Sequence, residues 1–300
     1  MRGEDAAAGV GVKTPSLSHS SLQVLQACPK RFYYSRIEGV ERKGETRGLR
    51  RGKAFSDALE AGGDPQVVSD YYAKRIMDAV TQEYVDDLLI EEAIIIELVQ
   101  AHAAKFSDDE REIEFDFPID ETGYRNHGFI DAVTFSPSGY MLKEDKLLAM
   151  WGASEQRGLP MNGQVLRYLG AAPLIWPNAI IAGMEYRVTR WPGTYRRKTE
   201  SANEFGSRVA STIREKRLDG KLDELFSVHF IDFNEAKDRI ARYYDDLADR
   251  VREVEQRKAT DSWPHAFGEA CKAFGGCEFL PACMREPGFE ELYTTREKNT

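Results

Sequence analysis

Two residue groups in this 300-residue chain have the types and spacing to do chemistry. The first is acidic. In "GFIDAVTFSPSGYMLKEDK", Asp131 is followed by Glu144 and Lys146 in the pattern D-x₁₂-E-x-K. Residues two apart on a strand share a face, so Glu144 and Lys146 point the same way. Counting back from a turn centred on Pro137–Ser138 sets Asp131 opposite Glu144 on the neighbouring antiparallel strand. Cross-strand partners have Cβ atoms roughly 4.5–5.5 Å apart. Two carboxylates that close repel unless a divalent cation lies between them, and Mg²⁺ or Mn²⁺ takes such hard oxygen ligands. A lysine beside the metal stabilises charge on a phosphate, which is the arrangement for metal-assisted hydrolysis of a phosphodiester. Taken alone the pattern is weak, and an ion pair on an exposed sheet face fits it too.

The second group is sulfur. Cys271, Cys277 and Cys283 stand six positions apart near one end of the chain, and Cys28 stands near the other. Four thiolates can ligate an iron–sulfur cluster. They can also ligate zinc, although zinc spacings are usually the shorter C-x₂₋₄-C. Four unrelated thiols is the plain alternative. In a reducing compartment all of these precede a disulfide.

These residues need elements to position them. "SLSHSSLQVLQACPKRFYYSRI" reads as a helix interrupted at Pro29, next to Cys28, and "GLRRGKAFSDALEAGG" as a second helix ending at Gly62-Gly63. From Pro65 to about Lys105 the pattern is helical throughout. "REIEFDFPID", "YRNHGFIDAVTFS" and "GYMLKEDKLL" alternate apolar and polar residues between turn signals, which predicts a three-stranded meander. "NGQVLRYLGAAPLIW" returns to helical spacing and sets Gln164 and Tyr168 on one face. "AIIAGMEYRVTRW" follows as a strand, and a long amphipathic helix starts near Asn234. A mixed sheet flanked by helices, an α/β fold, is the natural result.

A net charge of −9 argues against indiscriminate nucleic-acid binding, though not against a local basic groove. "ERKGETRGLRRGK" and "RVTRWPGTYRRK" are two basic runs, and a solvated surface is their ordinary reading. The first residues carry no apolar run of signal-peptide length. The most apolar stretch, "AAPLIWPNAIIAGM", is broken by Pro173 and Pro177 and is too short to span a bilayer. No membrane association and a cytoplasmic address are expected.

Together, "GFIDAV…KEDK", "QVLRY", "LQACPKRFYY" and "CKAFGGCEFLPAC" resemble the PD-(D/E)XK nucleases of the RecB type. More narrowly they are similar to the iron–sulfur branch of phage, helicase-linked and CRISPR-associated exonucleases. The resemblance implies a restriction-endonuclease-like fold whose helical N-terminal part and C-terminal end are joined by a [4Fe–4S] cluster on Cys28, Cys271, Cys277 and Cys283. It implies that Asp131 and Glu144 bind Mg²⁺ or Mn²⁺, with the backbone carbonyl of Asp145 as a further ligand and Lys146 as the catalytic lysine. Gln164 and Tyr168 match the Q-x-x-x-Y element beside the active site. The domain organisation expected is a flexible tail at 1–15, one nuclease domain at 16–290 with a helical insertion at about 64–106, and a tail at 291–300.

One departure stands out. The family's G-x-x-x-H element falls on "GKAFSDALE", with Ser56 where the metal-binding histidine is expected, and none of the five histidines is on this helix. Glu60, one turn on, is near enough in sequence to approach the site. The activity implied is a metal-dependent DNA exonuclease acting on single strands or ends in recombination, repair or phage DNA metabolism. Ser56 favours the alternative, a weak or inactive DNA-binding or assembly module that keeps the fold and the cluster. No G-x-x-x-x-G-K-[ST] motif is present, so ATP-driven unwinding would come from another chain, a helicase or recombinase partner.

Overall fold

The structure, a computed structural model, describes residues 15–272 and 276–295. The expected tail at 1–15 lies outside the described residues except for Pro15, and so do positions 273–275 of the cysteine segment and 296–300 at the C-terminal end.

Helices α1 (His19–Ala27) and α2 (Pro29–Phe32) are separated by Cys28, whose backbone is extended; a π-helical turn, Tyr33–Ile37, leads to strand β1 (Val40–Arg42). Pro29 has no N–H to continue α1 but suits the first position of α2, which is the interruption the sequence predicts. Thr46 caps α3 (Arg47–Glu60), Asp64 caps α4 (Pro65–Met77) and Thr81 caps α5 (Gln82–Lys105). The stretch expected to be helical throughout from Pro65 is thus two helices, because the Thr81 hydroxyl restarts the second by accepting the Tyr84 N–H.

The meander follows as β2 (Glu110–Ile119), β3 (Tyr124–Ser136) and β4 (Gly139–Leu148). After α6 (Ala153–Gly158) and α7 (Gly163–Ile175) come β5 (Ile181–Arg190), α8 (Ala202–Leu218), β6 (Phe226–Asp232) and α9 (Phe233–Thr260). Asp232 caps α9, and Asn234 is its second residue, near the start as expected. Short helices α10 (Glu269–Lys272) and α11 (Leu280–Met284) precede β7 (Tyr293–Thr295). Part of the expected tail at 291–300 is therefore strand, paired antiparallel with β1.

The main sheet has the order β2-β3-β4-β5-β6; only the β4–β5 pair is parallel. This is a five-stranded mixed sheet flanked by helices, the α/β architecture expected. One apolar cluster joins the sheet to α7 and the start of α9 through Ile130, Leu142, Leu169, Met184 and Ala236. A second joins α3, α4, α5 and α8 around Phe55, Tyr72, Ile95, Leu98 and Ile213. A third packs α1 and α2 on α9 around Leu25, Phe32, Val251 and Trp263. The approach of α7 to α9 is close: a Cβ at Gly170 would stand 2.2 Å from the Tyr244 ring.

The first basic run is divided: Arg42, Lys43, Arg47 and Lys53 are exposed, whereas Arg50 and Arg51 are built into this frame. Arg50, 3% exposed, forms two hydrogen bonds with Glu91 of α5 (2.7 and 2.9 Å), and Arg51 bonds the same carboxylate (3.0 Å) while lying over Trp191. A buried carboxylate with this many cationic partners is an internal tie, not a solvated surface. The second run is divided: Arg187 is buried against Asp108 (2.9 Å), whereas Arg196, Arg197 and Lys198 are exposed.

The candidate acid site and the cysteine cavity

Alternation along β4 separates two sets of charges. Lys143 and Asp145 turn to the α5 side, where Lys143 pairs with Glu185 (2.8 Å) and Asp145 Oδ1 is hydrogen-bonded to His102 Nε2 (2.8 Å). Burial alone would push the Asp145 carboxyl up, but the His102 hydrogen bond and charge, with Arg187 and Arg111, bring it down to about 2. Its side chain is committed to that network. Glu144 and Lys146 turn the other way, toward Tyr168 of α7.

The β3–β4 register runs from Ser136↔Gly139 to Ala132↔Lys143, so the next position sets Asp131 opposite Glu144, as the turn count predicts. The backbone N–H of Asp145 donates to Asp131 Oδ2 (2.9 Å), which fixes that carboxylate against β4. Glu144 is fully buried. Lys146 Nζ lies against its Oε1, yet neither Glu144 oxygen has a well-oriented hydrogen bond among the described residues. An ion contact without hydrogen-bond alignment leaves most of the cost of burying this carboxylate uncompensated. Burial, then the Asp131 charge, pushes Glu144 up to about 8 against the pull of Lys146. Burial likewise lifts Asp131 to about 6, opposed by Lys146 and the Asp145 N–H. Burial works against the charge of Lys146, but Glu144 and Asp131 together hold its ammonium above the usual lysine range.

Gln164 Nε2 donates to Tyr168 Oη (2.9 Å). Burial, and next the Glu144 and Asp131 carboxylates, raise the Tyr168 phenol well above its ordinary value, which sets this pair beside the acids. Asn162, the N-cap of α7, accepts the Gln164 and Val165 N–H groups and so fixes where that helix begins. Tyr186, the parallel-strand neighbour of Glu144, faces the same cluster and stacks on Trp151 (centroids 5.4 Å apart).

Ser56 is exposed on α3, and no hydrogen bond ties it to Asp131 or Glu144 among the described residues. Its helix nevertheless borders the site through Asp57 and Glu60. Both act on Glu112, a carboxyl the sequence reading missed. The β2–β3 register sets 112 opposite 131, but the pair is absent from the ladder because Glu112 has φ 52°, a conformation costly for a side chain with a Cβ. Burial, then Glu60 and Asp131, raise Glu112 to about 7. The count that pairs 131 with 144, repeated across the "ETG" turn, would have found it. Glu112, Asp131 and Glu144 form an acidic row across three adjacent strands.

The donor chemistry of this row suits a hard divalent cation. No three His, Cys, Asp or Glu side chains form a metal-holding group among the described residues, so this is not a closed cage. Mg²⁺ is usually bound by one or two carboxylates with several waters retained, and the Asp131–Glu144 pair fits that habit.

Cys28, Cys271, Cys277 and Cys283 line a separate cavity of about 260 Å³ with Phe279, Leu280 and Met284. All four are free thiols. The Ala266 N–H donates to Cys28 Sγ (3.4 Å), and Cys271 Sγ donates to the Ala266 carbonyl (3.3 Å). Burial raises the Cys277 and Cys283 thiols. The sulfurs share the cavity without converging as ligands among the described residues. The ends also meet without sulfur: Arg31 pairs with Glu278 (2.8 Å), and Phe279 packs between Tyr34 and Tyr293.

A profile of the PD-(D/E)XK nuclease superfamily matches residues 16–284. The chain belongs to that superfamily. No curated protein matches it significantly. Membership carries nuclease-type phosphodiester hydrolysis, generally dependent on divalent metal. Among the described residues no helix is long and apolar enough to cross a membrane.

The raised carboxyls set a pH dependence. In the unfolded chain they titrate near pH 4, whereas Asp131, Glu112 and Glu144 hold their protons to about 6, 7 and 8 in the fold. Between those limits the unfolded state binds fewer protons, so the stability of the metal-free protein falls as pH rises. A cation that binds the ionised site opposes this; at about 100 times its Kd it stabilises by about 2.7 kcal/mol. Melting curves at pH 5 and pH 8 should therefore show Mn²⁺ raising Tm at pH 8 and scarcely at pH 5. Equal shifts at both values would contradict the assignment.

Proposed function

We propose that this protein is a divalent-metal-dependent DNA exonuclease that acts on single strands or DNA ends. The observation that carries the reading is Glu144: a fully buried carboxylate, short of hydrogen bonds, beside Asp131 and Lys146. Asp131 and Glu144 would hold the cation, joined by the backbone carbonyl of Asp145, whose side chain is engaged by His102. Bound there, a Mg²⁺ or Mn²⁺ ion would polarise the scissile phosphate and lower the pKa of an attacking water. Lys146 contributes a fixed positive charge where negative charge develops on the phosphate. Gln164 and Tyr168 orient the strand at the wall of the site. Ser56 supplies no ligand, and Glu60 and Glu112 provide negative charge where the family's histidine is missing. Separation of strands falls to a partner such as a helicase or recombinase.

The test is cleavage of end-labelled single- and double-stranded DNA by purified protein with Mg²⁺ or Mn²⁺. Wild type should shorten the strands from an end, and Lys146→Ala should lower the rate by about 10²–10³-fold in protein that stays folded, with a lower Tm because Glu144 loses the cation facing it. Undiminished cleavage in that variant would remove Lys146 from the chemistry.

We further propose that Cys28, Cys271, Cys277 and Cys283 hold a [4Fe–4S] cluster fastening the two ends of the domain. Four thiols on one largely apolar cavity support this, since Cys₄ ligation in a protected pocket suits such a cluster. Cys28→Ser should bleach the visible absorbance of anaerobically purified protein and lower its iron content. It should also lower Tm of the whole domain, because metal binding by thiolates is folding free energy. Wild-type protein that is colourless and carries zinc would overturn the cluster.

A further inference from the structure

A groove of about 470 Å³ runs between α1 and α9 and ends at the N-terminus of α7. Its α9 wall is one helical stripe, Arg239, Arg242, Tyr243, Asp246 and Arg250, at spacings of three and four residues. Facing it on α1 are His19, Gln23 and Gln26. The charge on these walls is three arginines against one aspartate, in a chain whose overall charge is −9. Arg250 is engaged by Glu253 (2.8 Å). Arg239 and Arg242 have no carboxylate partner among the described residues; Arg242 Nε reaches only the Asp238 carbonyl (3.2 Å). Arg239 Nε and Tyr243 Oη are buried atoms without a hydrogen-bond partner among those residues. Two guanidinium groups without a carboxylate partner and a phenol without a hydrogen-bond partner among the described residues line one cavity, and all three are donors for an anionic ligand.

The inner end of the groove lies at the start of α7, the helix that carries Gln164 and Tyr168. A Cβ at Gly163 would stand 3.1 Å from His19 Cε1 and 3.3 Å from the Tyr243 ring, so glycine lets α1 and α9 close around the start of α7. The next residue, Gln164, bonds Tyr168 beside Glu144 and Asp131. His19 is within electrostatic reach of Lys146. A ligand lying along the arginine stripe therefore leads to the acids.

We infer that this groove binds the sugar–phosphate backbone of a single nucleic-acid strand and delivers it to the acid site, with Arg239 and Arg242 on phosphates and Tyr243 available to a base. The inference rests on the phosphodiesterase reading of that site. Arginine suits phosphate through its paired donors, and an aromatic ring stacks on any base, so the groove tracks a strand without reading its sequence.

The test is fluorescence anisotropy with a fluorescein-labelled DNA single strand of about 12 nucleotides, without added divalent cation, over a range of salt. Each lost phosphate contact reduces the slope of log K against log salt by about 0.7 for a single strand, so Arg239→Ala/Arg242→Ala should reduce it by about 1.4. Affinity at low salt should fall about tenfold or more, and Arg242→Lys should keep most of the slope because it keeps the charge. Asp246→Asn should bind more tightly than wild type. Arg252, exposed on the opposite side of α9, is the control, and Arg252→Ala should bind as wild type. If the double variant misfolds by circular dichroism, Arg242→Ala alone, at an exposed position, carries the test with a slope change of about 0.7. Wild-type affinity and slope in the arginine variants would overturn the groove even where wild-type protein cleaves DNA. Arginine-dependent binding by a protein that cleaves nothing would keep the groove and remove the nuclease reading.

Discussion

Glu144 is the constraint around which this fold is arranged. A carboxylate in a protein interior is expensive unless something of opposite charge faces it, and here the one cation against it among the described residues is the ammonium two residues further along the same strand. The strand period makes that possible: Glu144 and Lys146 share one face of β4, while Lys143 and Asp145 are turned to the other and are neutralised there by Glu185, His102 and arginine. One strand thus carries a quiet structural network on one side and an under-compensated acidic site on the other. A folded protein keeps such a defect where chemistry needs it.

The flanking elements serve that site by fixing its walls. Asn162 sets the start of α7, which brings Gln164 and Tyr168 to the acids. Gly170 lets α9 lie close against α7, and Gly163 lets α1 and α9 close around the start of α7. Arg167, buried on α7, donates to the carbonyls of Leu17 and His127 (2.7 and 2.8 Å), which ties the N-terminal segment to β3. On the opposite side of the sheet, the Arg50–Glu91 pair anchors α3 to α5, and with it the acidic face formed by Asp57 and Glu60.

The parts of this arrangement that depend on local periodicity were legible in the sequence. The meander, the opposition of Asp131 and Glu144 and the shared face of Gln164 and Tyr168 all follow from turn counting and helical spacing. The break at Cys28 follows from Pro29. What escaped was set by geometry over longer range or by a single backbone angle. Glu112 is hidden in an ordinary alternating strand, and its positive φ is visible only in three dimensions. Tyr186 meets Glu144 through the parallel β4–β5 pairing, which no hairpin count reveals. Arg50 and Arg51 depart from the surface reading of the first basic run because Glu91, their buried partner, lies some forty positions away. Helix α8 and strand β6 were overlooked although Ser201 and Glu204 spell out a capping box, each accepting the other's backbone N–H.

The central claim, that Asp131 and Glu144 are kept under-compensated for a divalent cation, is tested most directly by calorimetric titration of Mn²⁺ near pH 7. The titration is run in two buffers of different ionisation enthalpy, on wild type and Glu144→Gln. Wild type should bind Mn²⁺ and release protons to the buffer as the raised carboxyls ionise, and Glu144→Gln should lose most of the affinity and most of the proton release. Equal affinity and equal proton release in the two proteins would contradict it.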